Sequence, residues 1–304
     1  MSLSAEEYRE HLATTAVRAG FAFDGVVLPE SREFRLGDMR FHYLDWGNKQ
    51  LPTIVFLHGG ALNAHTWDLC CLALRDDFHC VALDQRGHGD SDWAADTDYS
   101  IGAQLADTRG FVDHLGLDKF VLVGMSLGAI NALAFAIAHP ERLGHLVIID
   151  AGPEVRRPGS SRIRDFVNAV QETVTVEAII EKALQFNPRR DPTILRRSLM
   201  HNLRQQADGT WKWKYDTRRF QSMGQDSHRA ARAALADGLS RITCPTLVVR
   251  GGESDVFHEE DGIRLAERLP DGRFVTVPRA GHTVQGDNPK DFVGELRRFL
   301  AGDN

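Results

Sequence analysis

Long apolar runs, a secretory leader and an excess of positive charge are all missing from this sequence of 304 residues. No apolar run approaches the roughly 20 residues that a membrane-spanning helix needs. The first residues lack the basic start and apolar stretch of a secretory signal. The formal net charge is -6, whereas general nucleic-acid binding requires a strongly basic surface. We therefore expect a cytoplasmic protein that acts on a small molecule and binds neither a membrane nor nucleic acid.

Cysteine pairs and a phosphate-binding glycine motif are also missing. Two of the cysteines are adjacent and none has C-x-x-C spacing, which argues against a disulfide framework and against a metal site. The four are Cys70, Cys71, Cys80 and Cys244. We interpret them as buried, reduced thiols. The GxGxxG fingerprint is absent, since the glycines at 87 and 89 lack the third member. The sequence thus predicts no metal, nucleotide or flavin cofactor.

What is present is a series of short apolar runs that alternate with helical stretches. Hydrophobic residues make up 42% of the chain and charged residues 26%, which is typical of a globular protein with a sizeable core. Continuous apolar runs separated by helices are typical of parallel strands buried on both faces. The predicted strands are 32–36, 39–46, 52–59, 78–84, 119–124, 145–150, 245–251 and 273–278, the first two forming an antiparallel pair. The predicted helices are about 64–75, 101–115, 127–139, 259–268 and 290–300.

The pattern stops between residues 152 and 240, which are mostly helical and polar. This insert carries 16 Lys and Arg against 10 Asp and Glu, a net charge of +6, while the rest of the chain carries -12. We predict an N-terminal helical extension (1–30), an α/β core (31–151 and 241–304) and a helical insert (152–240). The basic residues of the insert are either solvated and ion-paired, or some of them line the way to an acidic substrate.

The most informative motif is G-x-S-x-G around Ser126, between a predicted buried strand and an Ala-rich helix. A serine at such a tight strand-to-helix turn projects from the carboxyl edge of the sheet, and the residues two before and two after it must be small. Gly124 and Gly128 meet that requirement. A serine hydroxyl is a weak nucleophile at neutral pH and needs a base. His282 is the candidate base, because it follows the last predicted strand at the same edge of the sheet.

Together these motifs resemble the α/β-hydrolase fold family over roughly residues 30–300. The resemblance also rests on His58-Gly59-Gly60 after the third strand and on the D-x-R-G-x-G-x-S segment at 84–91. That segment is typical of the branch that carries a helical cap, and residues 152–240 lie where the cap belongs. The resemblance implies a mostly parallel eight-stranded sheet with helices on both faces. Haloalkane dehalogenases and epoxide hydrolases of this branch use an Asp nucleophile, so Ser126 disfavours both chemistries.

The oxyanion hole and the triad acid follow from the same resemblance. The backbone N–H groups of Gly60 and Leu127 are the expected oxyanion donors. The acid commonly follows the strand 245–251, but there the pattern aligns with Ser254, and Asp255 lies one residue later. Asp150, at the end of the strand 145–150, is the alternative, because some family members carry their acid there. We favour Asp150 and keep Asp255 as the second candidate.

The sequence signals for residues that contact substrate are weaker than those for the triad. Trp211 and Trp213 alternate with lysines in a short extended stretch, which indicates either packing of the insert on the core or contact with substrate. His65 follows the oxyanion loop and is a candidate to face the pocket. The oligomeric state stays open.

These residues predict a serine hydrolase with a Ser126–His282–Asp150 triad. The expected substrate is a small or medium carboxylic ester, lactone or related acyl compound, and the basic insert favours one that bears a carboxylate. A C–C bond hydrolase or a cofactor-free perhydrolase would use the same groups. A non-hydrolytic small-ligand receptor is the alternative outside the enzymes.

Overall fold

Ten strands occur in the computed structural model, which describes residues 4–154, 175–186, 191–219 and 225–302. In chain order they are β1 (Glu30–Leu36), β2 (Met39–Asp45), β3 (Thr53–Leu57), β4 (His79–Leu83), β5 (Phe120–Met125), β6 (Leu143–Ile149), β7 (Leu203–Gln205), β8 (Trp211–Trp213), β9 (Thr246–Gly251) and β10 (Gly272–Val277). Eight of them form one sheet in the order β1-β2-β4-β3-β5-β6-β9-β10. β1 and β2 pair antiparallel, β2 pairs antiparallel with β4, and the other pairings are parallel. The predicted eight-stranded, mostly parallel sheet is confirmed.

Ten α-helices lie in the described residues. They are α1 (Ala5–Arg18), α2 (Asp68–Leu74), α3 (Ile101–His114), α4 (Leu127–Ala138), α5 (Val176–Phe186), α6 (Pro192–Asn202), α7 (Gln225–Gly238), α8 (Glu259–Glu267), α9 (Val284–Asp287) and α10 (Pro289–Ala301). A 3-10 turn, Ala64–Trp67, leads into α2. None of these helices combines the length and apolar character needed to cross a bilayer.

The core has two apolar layers because the central strands are buried on both faces. In β3, Val55 and Leu57 face the layer formed with α3, α4 and α8, while Ile54 and Phe56 face the layer formed with α1, α2 and α10. This alternation follows from the two-residue period of a strand. It explains why the sequence of β3 reads as a continuous apolar run. Helices therefore cover both faces of the sheet, as predicted.

The first hairpin shows how the sequence sets the edge of the sheet. Leu36 pairs with Met39, so only Gly37 and Asp38 form the turn. Gly37 has φ +59°, a left-handed value that two-residue hairpin turns require and that glycine adopts without strain.

The described part of residues 152–240 is not all helical, which corrects the sequence-based expectation for this insert. β7 and β8 pair antiparallel, with Leu203 opposite Trp213 and Gln205 opposite Trp211. β8 is the short extended stretch predicted around Trp211 and Trp213, whereas the three residues of β7 carry too little periodicity to be recognised from the sequence. The rest of the predicted insert at 155–174, 187–190 and 220–224 lies outside the described residues.

All four cysteines are buried and free, in agreement with the prediction of reduced thiols.

Candidate active site

Ser126 stands at the turn between β5 and α4, in a backbone conformation that side-chain-bearing residues rarely adopt. Its φ is 53° and its ψ is -107°. A Cβ at Gly124 would lie 2.2 Å from the carbonyl oxygen of Gly128, and a Cβ at Gly128 would lie 2.2 Å from that of Leu57. Both positions are therefore closed to larger residues. The turn is fixed further by the Ser126 amide, which donates to the carbonyl of Ile149 at 3.0 Å.

His282 reaches Ser126 from the loop between β10 and α9. Its Nε2 lies 3.0 Å from Ser126 Oγ, a distance that fits a hydrogen bond from the hydroxyl to the imidazole. The loop packs directly on β9, since a Cβ at Gly251 would lie 2.1 Å from the carbonyl oxygen of Gly281. The amide of Gly281 donates to Asp287 at 2.9 Å, which ties the loop to the following helix. Nucleophile and imidazole thus come from positions 156 residues apart.

Asp150 is the carboxylate that meets the imidazole. Its Oδ2 lies 2.7 Å from His282 Nδ1, and the Asp150 side chain is fully buried. Gly251 donates its amide to Oδ1 at 2.9 Å, and the Ser254 hydroxyl donates to Oδ2. Asp255, the second candidate, is exposed. The structure therefore brings Ser126, His282 and Asp150 together and leaves Asp255 outside this hydrogen-bonded group.

The part that sequence reasoning missed is the role of Ser254. This residue occupies the position where the family pattern carries its acid, and it was expected only as a gap in that pattern. It is 5% exposed and donates to the carboxylate of Asp150 from the neighbouring strand end. The sequence signal for the Ser254–Asp150 contact is a serine at the usual position of the acid together with an aspartate at the end of the neighbouring strand.

The two predicted oxyanion donors lie on either side of Ser126. Leu127 is the first residue of α4, where amide hydrogens have no partner within the helix. Gly60 follows the end of β3, and a Cβ at the preceding Gly59 would lie 3.4 Å from Ser126 Cβ. Neither the Gly60 nor the Leu127 amide donates to a backbone carbonyl of the described residues. Both are available to a developing negative charge.

His58 holds the oxyanion loop rather than facing a substrate. Its ring is fully buried, its Nδ1 lies 2.8 Å from the carbonyl of Gly59, and its Nε2 accepts from the amide of Gln85 at 3.0 Å. Burial lowers the pKa of His58, so the ring is neutral at pH 7. This arrangement fits a structural residue.

Two arginines of the insert attach on either side of β5. Arg232, on α7, donates to the carbonyl of Gly152 beyond the end of β6 at 3.1 Å. The amide of Asp216 donates to Gly87 beyond the end of β4 at 2.8 Å, and Arg219 follows three residues later. Burial lowers the pKa of both arginines, and the charge of Arg219 lowers the pKa of Arg232 further. Two partly desolvated cations therefore lie near each other at the edge of the sheet that carries Ser126.

The remaining residues predicted to contact substrate have other partners than Ser126, His282 and Asp150 in the described part of the chain. His65 Nδ1 lies 3.1 Å from Tyr8 Oη and 3.2 Å from Asp68 Oδ2, and its ring stacks on His201. Trp213 is buried in the apolar cluster of the insert, and Trp211 packs against that cluster. Ala61, next to Gly60, packs against the same cluster. The cluster that includes the two tryptophans therefore touches the oxyanion loop at Ala61.

Comparison with known proteins identifies relatives of the whole chain. A family model described as alpha/beta hydrolase fold matches residues 52–289. An esterase from Mycobacterium tuberculosis is 31% identical over 280 residues, covering 90% of this chain and 90% of that protein. Its crystal structure superimposes with a TM-score of 0.78 at 30% identity over 99% of this chain and 100% of that one. The 2-(acetamidomethylene)succinate hydrolase from Mesorhizobium japonicum is 27% identical, covering 89% of this chain and 95% of that protein.

Proposed function

The chain belongs to the alpha/beta hydrolase fold family and is a hydrolase of that family, and on this premise we propose that it cleaves an acyl compound through a covalent intermediate on Ser126. The substrate class is a small or medium carboxylic ester, lactone or related acyl compound. The observation that carries the proposal is the continuous chain of hydrogen bonds from Ser126 Oγ to His282 and on to Asp150.

The proposed reaction begins with attack of Ser126 Oγ on the substrate carbonyl carbon. His282 Nε2 takes the hydroxyl proton as the new C–O bond forms, and Asp150 stabilises the resulting imidazolium while fixing its tautomer. The tetrahedral intermediate collapses when its bond to the leaving group breaks and His282 returns the proton to that group. In the second half, a water molecule gives a proton to His282 as its oxygen bonds to the acyl carbon. The bond from that carbon to Ser126 Oγ then breaks, His282 returns the proton to Oγ, and the carboxylic acid product leaves.

The negative charge of the tetrahedral intermediate needs donors that are already in place. The amides of Gly60 and Leu127 fill this role in the proposal, and the N-terminus of α4 adds the favourable end of the helix dipole. Removing one such donor in a serine hydrolase typically costs about 10²–10³ in turnover. Because both donors are backbone groups, side-chain changes at Leu127 should have only indirect effects.

A carboxylate on the substrate is the finer part of the proposal. Arg219 and Arg232 are partly buried cations near the carboxyl edge of the sheet, where an anion that enters with the substrate would offset the cost of their desolvation. The name of the Mesorhizobium japonicum relative specifies a succinate derivative, which carries carboxylate groups of its own. The net charge of +6 on the insert is consistent with the same class of substrate.

The direct test uses a fluorophosphonate probe together with hydrolysis of short p-nitrophenyl esters. Wild-type protein should label at one residue and hydrolyse the esters, and Ser126→Ala should lose both properties. Ser240→Ala, which alters an exposed serine, serves as the matched control and should behave as wild type. Unchanged labelling or hydrolysis in Ser126→Ala would show that another residue is the nucleophile.

A further inference from the structure

Five side chains from three parts of the fold meet away from Ser126, and we call them the junction cluster. Tyr8 comes from α1, His65 and Asp68 come from the segment after β3, and Arg197 and His201 come from α6. Asp68 is fully buried, and its Oδ2 accepts hydrogen bonds from Tyr8 Oη at 2.8 Å and from Arg197. The imidazole rings of His65 and His201 stack with their centroids 3.7 Å apart.

The junction cluster leaves two electron-pair donors unused. Asp68 Oδ1 and His201 Nε2 are buried and have no hydrogen-bond partner among the described residues. Buried polar atoms in folded proteins are nearly always bonded, so these two atoms can each take a further partner, either a water molecule or a metal ion. One ligand atom from each of His65, Asp68 and His201 lies within 4.8 Å of the others.

A second group of similar composition shows the contrast. His42, Asp84 and Asp90 also bring potential ligand atoms within 4.8 Å. There the carboxylate of Asp84 is satisfied on both oxygens, since Oδ1 accepts from the amide of Ala64 at 2.7 Å and Oδ2 contacts His42 Nδ1 at 2.7 Å. The other ring nitrogen of His42 contacts Ser31 at 2.8 Å. That group is a closed hydrogen-bond network, whereas the junction cluster is open.

We propose that His65, Asp68 and His201 bind a divalent transition-metal ion of the Zn²⁺, Co²⁺ or Ni²⁺ type. Two imidazoles and one carboxylate are ligands that suit these ions, while Mg²⁺ and Ca²⁺ prefer oxygen alone. Three protein ligands leave further coordination positions for water. A partly open cavity is lined by two members of the junction cluster, His65 and Arg197.

Binding requires a small rearrangement. Ligand atoms around a tetrahedral Zn²⁺ are roughly 3.4 Å apart, given bonds of about 2.0–2.1 Å. His65 Nδ1 and Asp68 Oδ2 are already 3.2 Å apart, so the approach falls mainly to His201. The lone pair of an imidazole nitrogen lies in the plane of its ring, and the two rings are stacked with an angle of only 25° between their planes. One ring must therefore turn. His201 is the ring to do so, because its Nε2 has no bond to break among the described residues.

Arg197 is the natural competitor of the metal. Its guanidinium already binds Asp68 Oδ2, and its positive charge repels a divalent cation. The metal and Arg197 therefore share one carboxylate, and each weakens the hold of the other. Because Arg197 and His201 both lie on α6, a bound metal would exchange one link between α6 and the core for another.

The experiment titrates CoCl₂ into the full-length protein and follows the visible d–d absorption of bound Co²⁺, which does not depend on activity. Wild-type protein should bind one equivalent. His201→Gln and His65→Gln should weaken binding at least about tenfold. His139→Gln alters a partly exposed histidine outside the cluster and should leave the titration unchanged.

Arg197→Gln gives an opposite and more demanding result. Removing the competing cation should tighten Co²⁺ binding by about tenfold and raise Tm more on metal addition than in the wild type. A variant that merely disturbed the fold would weaken binding instead. Absence of a d–d band in the wild type, an unchanged titration in His201→Gln, or weaker binding in Arg197→Gln would each overturn the proposal.

Discussion

Ser254 donates a hydrogen bond to Asp150 across the ends of two neighbouring strands, β9 and β6. The serine occupies the position where the family pattern commonly has the acid, and the aspartate lies one strand away at the same edge of the sheet. Asp150 contacts the imidazole of His282, and the serine at the other position supports this carboxylate. This relationship explains how the triad acid can be carried by either of two neighbouring strand ends while His282 keeps its position.

The choice of acid is tested by two conservative variants. Asp150→Asn should lower kcat/KM on a p-nitrophenyl ester by about 10⁴, because the amide no longer holds the imidazole in the productive tautomer. Asp255→Asn changes an exposed carboxylate and should stay within a fewfold of wild type. The opposite ranking in purified enzymes of equal Tm would assign the acid to Asp255.

Ser254 itself should matter less than the acid it supports. Ser254→Ala leaves Asp150 with the Gly251 amide and His282, so we expect a loss of about tenfold in kcat/KM, the scale of one hydrogen bond to a charged group. The loss should appear in kcat more than in KM, since Ser254 acts through its hydrogen bond to the carboxylate of Asp150. Ser240→Ala is the control and should behave as wild type. A rise in KM with kcat unchanged in Ser254→Ala would contradict this role.

Replacing glycine by alanine should have opposite effects at the turn around Ser126 and in α10. Gly124→Ala and Gly128→Ala force a Cβ to 2.2 Å from backbone atoms, so both should abolish activity and lower Tm strongly. Gly294→Ala, in α10, meets nothing within 4 Å and should stabilise the protein by about 1 kcal/mol. Thermal unfolding and ester hydrolysis measure both outcomes. A well-folded, active Gly128→Ala would mean that the turn differs from the one described.

Recognition of a substrate carboxylate predicts a selective loss. Arg219→Gln and Arg232→Gln should lower kcat/KM at least about tenfold on an ester that carries a carboxylate, and much less on its neutral analogue. Arg229→Gln removes an exposed arginine of the same helix as Arg232 and serves as the control. Equal losses on both esters would remove the carboxylate from the proposed substrate while leaving the nucleophile untouched.

Asp84 should make stability depend on pH. Burial alone would raise its pKa, but the hydrogen bond and charge of His42 outweigh burial and hold the pKa of Asp84 well below its ordinary value. A carboxylate with a depressed native pKa stabilises the fold above its unfolded pKa of about 3.9 and loses this effect as the pH falls through the native pKa. Asp84→Asn should therefore cost about 3–5 kcal/mol at pH 7, and the difference from wild type should shrink below about pH 4.

Urea denaturation at pH 7, 5 and 3.5 measures this difference directly. Asp76→Asn changes a carboxylate whose side chain is 82% exposed and should leave the curves unchanged at all three values. A constant difference between wild type and Asp84→Asn across the range would contradict the depressed pKa.

The sheet and the turn at Ser126 were predictable because short-range physics determines them. Apolar runs such as β3 read as strands wherever both faces are buried, and the small residues at 124 and 128 are required by contacts with backbone atoms. The environment of His65 was not predictable. Its ring turns toward Tyr8, 57 residues earlier in the chain, and toward His201 on α6, and no local pattern encodes either contact.

The sequence predicts that the insert is positively charged, but it does not predict which acidic groups its basic side chains contact. Arg197 pairs with Asp68, while Arg204 and Lys214 both pair with Asp90, so part of the positive charge is spent on acidic residues of the core. The expectation of ion-paired arginines is confirmed for these side chains. Arg219 and Arg232 were not singled out in advance, because their burial depends on how α7 and the segment after β8 pack on the sheet.

The N-terminal helix has a consequence for anyone who shortens this protein. Leu12 of α1 is completely buried in the core, Tyr8 binds Asp68, and Arg18 reaches Asp191 at the start of α6 at 2.6 Å. A truncation that starts at β1 would therefore expose apolar core surface around Leu12 and remove the ion pair between Arg18 and Asp191 at the same time. Proteolytic removal of α1 should therefore disturb the start of α6 and the surroundings of Asp68, although it removes no atom of Ser126, His282 or Asp150.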